Sequence, residues 1–418
     1  MKYVFRAFIL MAMIIVSGAL VGCDEENRGS EKENDVSEEK NGSNEEEKDV
    51  NEEYTVTFNY ENDTGEEITE ELSVKYNEVY SELPEPERED LSFSGWTTED
   101  LEIINEDSTV DIAEDHTLHA HWYTEGLEFT KRHNGYVVVD SHDEFDNNVE
   151  NDVVIPAIFN DDYVVRIGNY AFRYASSLET ITIPSTVTSI GEEAFSRSSL
   201  ETVNFEEDSQ LETIGRYAFS WASSLETITI PSSVTSIGRY AFNSTSSLTN
   251  INIPSNVTSI ERRTFDTSSL ETITFEEDSQ LETIGDYAFA RTSLTTINIP
   301  SNVTSIGEDA FRNITSLETV TFEEDSQLET IRRRAFSNAT SLTSINIPSS
   351  VTFIGHSAFH RLLSLTSINI PSSVISIGNG AIGGSSSLII YTEHEEKPGG
   401  WQDWNKGDLV VIWGHEQE

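Results

Sequence analysis

From Val153 to Glu393 the chain repeats one arrangement of apolar positions about every 23 residues. An isoleucine recurs at Ile167, Ile190, Ile214, Ile237, Ile260, Ile284, Ile306, Ile331, Ile354 and Ile377. Five residues after each comes a phenylalanine, Phe172 in the first copy and Phe359 in the ninth, with Ile382 in the last. A leucine follows each of these, from Leu178 to Leu388. Ten copies at a near-constant period predict a solenoid of about ten turns. One copy buries too little apolar surface to offset the entropy of ordering it, so copies must stack.

Within a copy, Leu178-Glu-Thr-Ile-Thr-Ile183 alternates as a strand does, with Leu178, Ile181 and Ile183 inward, and Pro184 ends it. The Ile-Gly-x-x-Ala-Phe step is expected to start a short helical return. Two variants of the turn between them occur, Ile-Pro-Ser-Ser-Val (230–234) and Phe-Glu-Glu-Asp-Ser-Gln-Leu (205–211, 275–281, 322–328). Upstream, Tyr54-Thr-Val-Thr-Phe-Asn-Tyr60, Leu72-Ser-Val-Lys-Tyr76 and Thr117-Leu-His-Ala-His-Trp122 also alternate, which predicts a small strand-rich unit over 54–122. Residues 123–152 are expected to form the N-terminal cap of the solenoid, 153–393 its repeats, and 394–418 a C-terminal cap.

The N-terminus is different. Lys2 and Arg6 precede an apolar run from Ala7 to Val16, then small residues up to Cys23, the pattern of a secretory signal over 1–22. The run is shorter than the ~20 residues that span a bilayer. Residues 24–53 hold 14 acids and 4 bases with almost nothing apolar, the composition of a solvated tether.

Charge narrows the function. The chain of 418 residues carries Lys+Arg 25 against Asp+Glu 75, a formal −50. Binding of phosphate backbones through a basic groove is excluded on that balance, as is direct attraction to anionic headgroups. The single cysteine excludes an intramolecular disulfide and a cysteine-rich zinc site. The folded segments are acidic as well as the tether: residues 54–122 carry 20 acids and 2 bases. Such a chain suits a medium of high salt or high pH, where self-repulsion is relieved.

Three resemblances follow. Leu20-Val21-Gly22-Cys23 resembles the bacterial lipobox, which implies cleavage before Cys23 and lipidation of its sulfur, placing the chain at the outer face of the cell membrane. The TVTFNY opening, YSELPEPEREDLSFSGWTTE and closing HTLHAHW of 54–122 resemble the internalin-type B-repeat, or Listeria–Bacteroides repeat. That likeness implies a β-grasp-like fold acting as a spacer or weak adhesion module. The IPSSVTSIG…AF…SLE pattern, over roughly 125–415, is similar to the BspA-type leucine-rich repeat. This implies a surface protein that adheres to extracellular proteins or glycans. Departures fall at Glu261 and Arg332 in place of glycine, Thr264 in place of alanine, and Ile382 in place of phenylalanine.

Candidate chemistry is sparse. The outward strand positions form a polar ladder, Thr180 and Thr182, Thr202 and Asn204, Thr227 and Thr229, Thr272 and Thr274, Thr319 and Thr321, with asparagine and serine in the intervening copies. This ladder is the expected ligand face; a water-ordering, ice-binding array is the weaker alternative. The Glu206-Glu207-Asp208 cluster and its equivalents at 276–278 and 323–325 raise calcium, but lack the spaced ligands and glycine of a calcium loop. His116, His119 and His121 are expected to be exposed strand histidines, and His356 and His360 lack a third ligand. No metal or cofactor is therefore expected. No HExxH, GxSxG, Walker A or GxGxxG pattern is present, and the expectation is a non-enzymatic binding protein, with a structural role in the envelope as the alternative.

Overall fold

The computed structural model describes residues 52–62, 66–132, 137–139, 151–385, 387–401, 403–406 and 409–415. Cys23 and the acidic tether lie outside the described residues. Residues Asp49–Glu418 form one compact unit.

Its first part is a five-stranded sheet built from β1 (Glu53–Glu61), β2 (Glu67–Lys75), β3 (Ser92–Thr97), β4 (Ile103–Ile104) and β5 (His116–Tyr123), in the order β2-β1-β5-β3-β4. The first and last strands lie side by side and parallel, with Phe58 opposite Leu118. Alternation puts Val56, Phe58, Val74 and Leu118 on one face, where they close over Trp96, Tyr80 and Val110. Phe58 meets the Trp96 ring edge-on at 5.0 Å, and the Trp96 indole N–H donates to the Pro84 carbonyl at 2.8 Å. The proline-rich segment before β3 thus supplies a partner for the largest buried side chain.

This sheet packs directly on the solenoid. The Tyr163 hydroxyl donates to the Leu101 carbonyl at 2.7 Å, the Thr124 amide donates to the Val154 carbonyl, and the Ser94 hydroxyl donates to the Ile158 carbonyl. Gly95, at φ +144°, lies where a Cβ would fall 2.8 Å from the Ile158 Cδ1.

The solenoid has about eleven turns of parallel strands. One series of strands carries the polar ladder: Thr180–Ile183 pairs in register with Thr202–Phe205, and Asn250–Ile253 with Thr272–Phe275. A second series is formed by the two-residue strands that end on each repeat isoleucine, such as Ser189–Ile190 and Thr213–Ile214. Between the two, each Pro-Ser-x-Val turn is closed by the valine amide donating to the proline carbonyl, as from Val187 to Pro184. Isoleucine, phenylalanine and leucine columns meet inside as one continuous core. Nine phenylalanine rings stack through it from Phe172 to Phe359, with centroids 5.1 to 5.6 Å apart and planes within 13°. The C-terminal end is covered by Trp401 and Trp404, and Val410–Trp413 pairs with Ile389–Thr392.

The expected helical returns are not helices. No helix occurs among the described residues. The third and seventh residues after each isoleucine adopt left-handed conformations: φ is 64° at Tyr170, 65° at Tyr174, and 62° at Arg197 and at Trp221. Two left-handed residues in seven stop a helix from propagating. What replaces it is a ladder between layers. Tyr170, Phe172 and Tyr174 donate their amides to the carbonyls of Glu192, Ala194 and Ser196, and the same three bonds recur through the layers beyond. Every one of them points from the N-terminal layer to the C-terminal one.

The glycine that opens each return has a packing reason. A Cβ on Gly307 would fall 2.5 Å from the Gly285 carbonyl carbon, and one on Gly215 2.6 Å from that of Gly191. Where Glu261 replaces this glycine, the second strand series is interrupted, between Ser236–Ile237 and Ser259–Ile260. At Arg332 the series continues, and the Arg332 amide still donates to the Ile306 carbonyl at 2.9 Å.

Candidate functional site

The strands bring the predicted ligand positions together on one face. Thr180, Thr182, Thr202 and Thr319 are half-buried, whereas Asn204, Thr227, Thr229, Thr272, Thr274 and Thr321 are exposed. The residues pair across layers in register, Thr180 with Thr202, Thr182 with Asn204, and Thr202 with Thr227. Part of the array bonds to itself: the Thr274 hydroxyl donates to Asn252 Oδ1 and that of Thr321 to Asn298 Oδ1, both at 2.8 Å. The ladder is broken between Thr227–Ile228 and Asn250–Ile253, between Thr272–Phe275 and Thr296–Ile299, and between Ser344–Ile345 and Ser367–Ile370. The face is therefore a series of short polar sheets.

The acidic turns have a structural task that the sequence does not reveal. Glu206 Oε2 accepts from the Ser185 amide, Glu276 Oε2 from that of Ser255, and Glu323 Oε2 from that of Ser301. In each case the first carboxylate of the cluster reaches back one layer and caps the Pro-Ser turn. Glu393 does the same for Ser372, whose amide and hydroxyl both donate to one carboxylate oxygen at 2.8 and 2.6 Å. Those bonds hold the Glu393 carboxyl below its ordinary range. Among the described residues no three of His, Cys, Asp or Glu gather in a way that could hold a metal ion.

The strand histidines are not the exposed residues expected; all three are half-buried. His116 Nε2 lies 2.8 Å from the Tyr80 hydroxyl, and His121 Nε2 lies 2.9 Å from Thr97 Oγ1. Burial, aided by neighbouring His119, lowers the pKa of His121 to about 4. Burial also pushes the Tyr80 hydroxyl up to about 12. Both groups are neutral at pH 7.

A further face lies on the returns, and reading along the chain does not disclose it. It emerges only when equivalent positions of successive copies are read as columns. The seven residues after each repeat isoleucine, 168–174 in the first copy and 378–384 in the last, hold twelve arginines and seven carboxylates. Aromatic rings stand among them in the N-terminal half. Tyr170, Tyr174 and Trp221 are 43%, 55% and 52% exposed. Tyr217 stacks on Tyr240 with centroids 4.4 Å apart. Arginines lie over these rings: Arg197 sits 5.9 Å from the Tyr174 centroid and 5.3 Å from that of Trp221. Glu193 pairs with Arg173 at 3.0 Å and Glu192 with Arg216 at 3.8 Å. In the C-terminal half several arginines are neutralised by buried acids. Asp266, 1% exposed, takes two bonds from the Arg291 guanidinium at 2.7 Å, and buried Asp309 faces Arg312 and Arg334. Burial pushes the Asp266 carboxyl up, and Arg291 and Arg263 pull it back.

No helix among the described residues is long and apolar enough to cross a membrane. Solved structures similar to this chain include a leucine rich cell surface protein from Faecalibacterium prausnitzii A2-165, at 24% identity over 71% of this chain and 95% of that chain, with a TM-score of 0.45. Another is the pneumococcal vaccine antigen PcpA, at 21% identity over 70% and 84%, TM-score 0.40. A third is a leucine-rich repeat protein from Bacteroides ovatus, at 25% identity over 69% and 98%, TM-score 0.33. No curated protein matches the chain. Residues 54–121 match the Listeria-Bacteroides repeat domain. Residues 165–281 and 282–392 match the BspA type Leucine rich repeat region, so the chain belongs to the BspA-type leucine-rich repeat family.

Proposed function

We propose that this chain is a lipid-anchored protein of the bacterial cell surface that binds extracellular protein or glycan through its solenoid. Cys23 carries the lipid, residues 24–53 lift the folded part from the membrane, and residues 54–122 form a module between tether and repeats. The observation that carries the binding role is the polar strand face from Thr180 to Thr321, where Asn204, Thr227, Thr229, Thr272, Thr274 and Thr321 are exposed on short sheets of strands paired in register. Many modest contacts along such a face add to useful avidity. The position of the single cysteine at the end of a signal-like segment supports the anchor.

The test has two arms. Radiolabelled palmitate is expected in the wild-type protein and not in Cys23→Ala; equal labelling of both removes the anchor. The purified chain is then presented to extracellular matrix proteins and glycan arrays. Binding that survives deletion of 153–393 assigns the role to the wrong module.

A further inference from the structure

We propose that the N-terminal stretch of the return ridge, Tyr170 to Trp221, is a binding site for a linear, carboxylate-bearing polysaccharide; this rests on the reading of the solenoid as a binding module and gives it a second face. The first support is the order of the side chains. Arg173 lies 5.4 Å from the Tyr170 centroid and 4.8 Å from that of Tyr174, and Arg197 lies between Tyr174 and Trp221. Ring and guanidinium alternate. A guanidinium stacked through its faces keeps its N–H groups in its own plane, the fork that a carboxylate meets with two bonds. That of Arg173 is engaged by Glu193 at 3.0 Å and by the Tyr174 hydroxyl at 3.3 Å, which leaves Arg197 as the open one.

The second support is that Arg197 is available. It is exposed, and no carboxylate lies within ion-pair distance of it among the described residues. That sets it apart from its neighbours in a chain with 75 acids: Arg173 pairs with Glu193 and Arg216 with Glu192, and Arg291 and Arg334 farther along the ridge are neutralised by buried aspartates. The third is the chemistry of the exposed rings. Tyr174 and Trp221 leave half their surface in water and contribute little to the core, and Tyr, Trp and Arg together are the residues that dominate binding hot spots. The three returns of this stretch carry Arg173, Arg197 and Arg216 against Glu192 and Glu193, and the returns as a whole twelve arginines against seven carboxylates, a basic face on an acidic protein that suits an anionic partner.

A polysaccharide fits better than an acidic peptide strand. The ridge amides of Tyr170, Phe172 and Tyr174 are all donated to the next layer, so none is left to add a strand. Recognition there is by side chains alone. Layers follow one another at the 5.3 Å spacing of Phe172 and Phe195, comparable to the rise of one sugar unit in an extended chain. Tyr174 and Trp221 stand two layers apart with Arg197 in the layer between, so the rings suit the C–H faces of alternate pyranoses and Arg197 suits the uronic carboxylate of the unit between them.

The experiment is calorimetric titration of the purified full chain with an oligogalacturonide, beside a neutral galactose oligomer and polyglutamate. Wild type, the ridge variants Arg197→Gln and Trp221→Ala, the strand-face variant Thr227→Ala and the control Gly399→Ala are compared, with melting curves confirming that each folds. Binding of the oligogalacturonide is expected to weaken at least about tenfold in the Arg197 and Trp221 variants, to weaken with salt, and to be unchanged in Gly399→Ala, a position with open space around it and on neither face. The proposal is overturned by absence of binding, by equal binding of the neutral oligomer or of polyglutamate, or by ridge variants that bind like wild type. Extracellular ligands lost in Thr227→Ala and retained by the ridge variants would leave the binding module standing and remove only this site.

Discussion

The ring of Phe311 lies parallel to that of Phe336, their planes 2° apart and their centroids 5.1 Å apart, and seven further pairs repeat the relation along the core. Each interior ring therefore has a ring on both sides. Replacing Phe265, in the middle of the series, by alanine removes contacts to Phe242 and Phe289 together. The expected loss is about 3–5 kcal/mol, read as a lower midpoint in urea denaturation. Phe265→Leu, which refills most of the space, is expected to cost less than half of that.

Gly307 tests the close approach of the returns. Its backbone φ lies outside the left-handed range, so alanine meets no local strain there, and only the neighbouring layer opposes it. Gly307→Ala places a methyl against the Gly285 carbonyl and is expected to destabilise by about 1–3 kcal/mol. Gly399, with no atom within 4 Å of a built Cβ, is the control position. A thermal melt in which both variants behave alike would show that layer spacing is soft.

Glu393 makes one part of stability depend on acidity. Its pKa is lowered in the folded chain by the Ser372 hydroxyl and amide, so the contribution is fully present above the ordinary carboxylate range. It is lost as pH falls through the lowered value. Glu393→Gln is expected to lower the melting temperature at pH 7, corresponding to about 1 kcal/mol, and to match wild type at the acid end. Melting curves from pH 7 to pH 3 check the convergence.

His121 acts in the same direction at a different pH. Its folded pKa of about 4 is below the ordinary 6.5, so the unfolded chain takes up the proton first. Stability of the five-stranded sheet is expected to be complete above pH 6.5 and to fall as pH drops towards 4. An NMR titration following the His121 ring should show no protonation until near pH 4 in the folded chain. A midpoint near 6.5 would mean that the ring is solvated.

The columns of isoleucine, phenylalanine and leucine were legible because each core position is filled by the same kind of side chain in copy after copy, and periodicity is the signal that burial leaves. The returns were not legible as turns. Tyr170, Arg197 and Trp221 occupy left-handed positions that such residues locally disfavour, and the compensation is an amide bond to a layer some 23 residues away. Distance along the chain hid the acids too. Glu206 looks like a free carboxylate beside Glu207 and Asp208 until Ser185, in the preceding layer, is placed at its oxygen. Glu261 was the informative departure: the missing glycine marked the interruption of the second strand series. The strand face was readable from alternation alone. The arginine and aromatic ridge was not, since Tyr174, Arg197 and Trp221 lie in three different copies.

The one-way amide ladder of the returns makes the backbones of the layers interchangeable. Each layer hands three backbone hydrogens forward and receives three from behind, so the return backbone of one layer matches that of any other. Removing one complete layer rejoins the same donors to the same acceptors, and duplicating one does likewise. The number of copies can thus drift while the interior chemistry stays constant. The length of the solenoid and the extent of its faces then change in whole-layer steps.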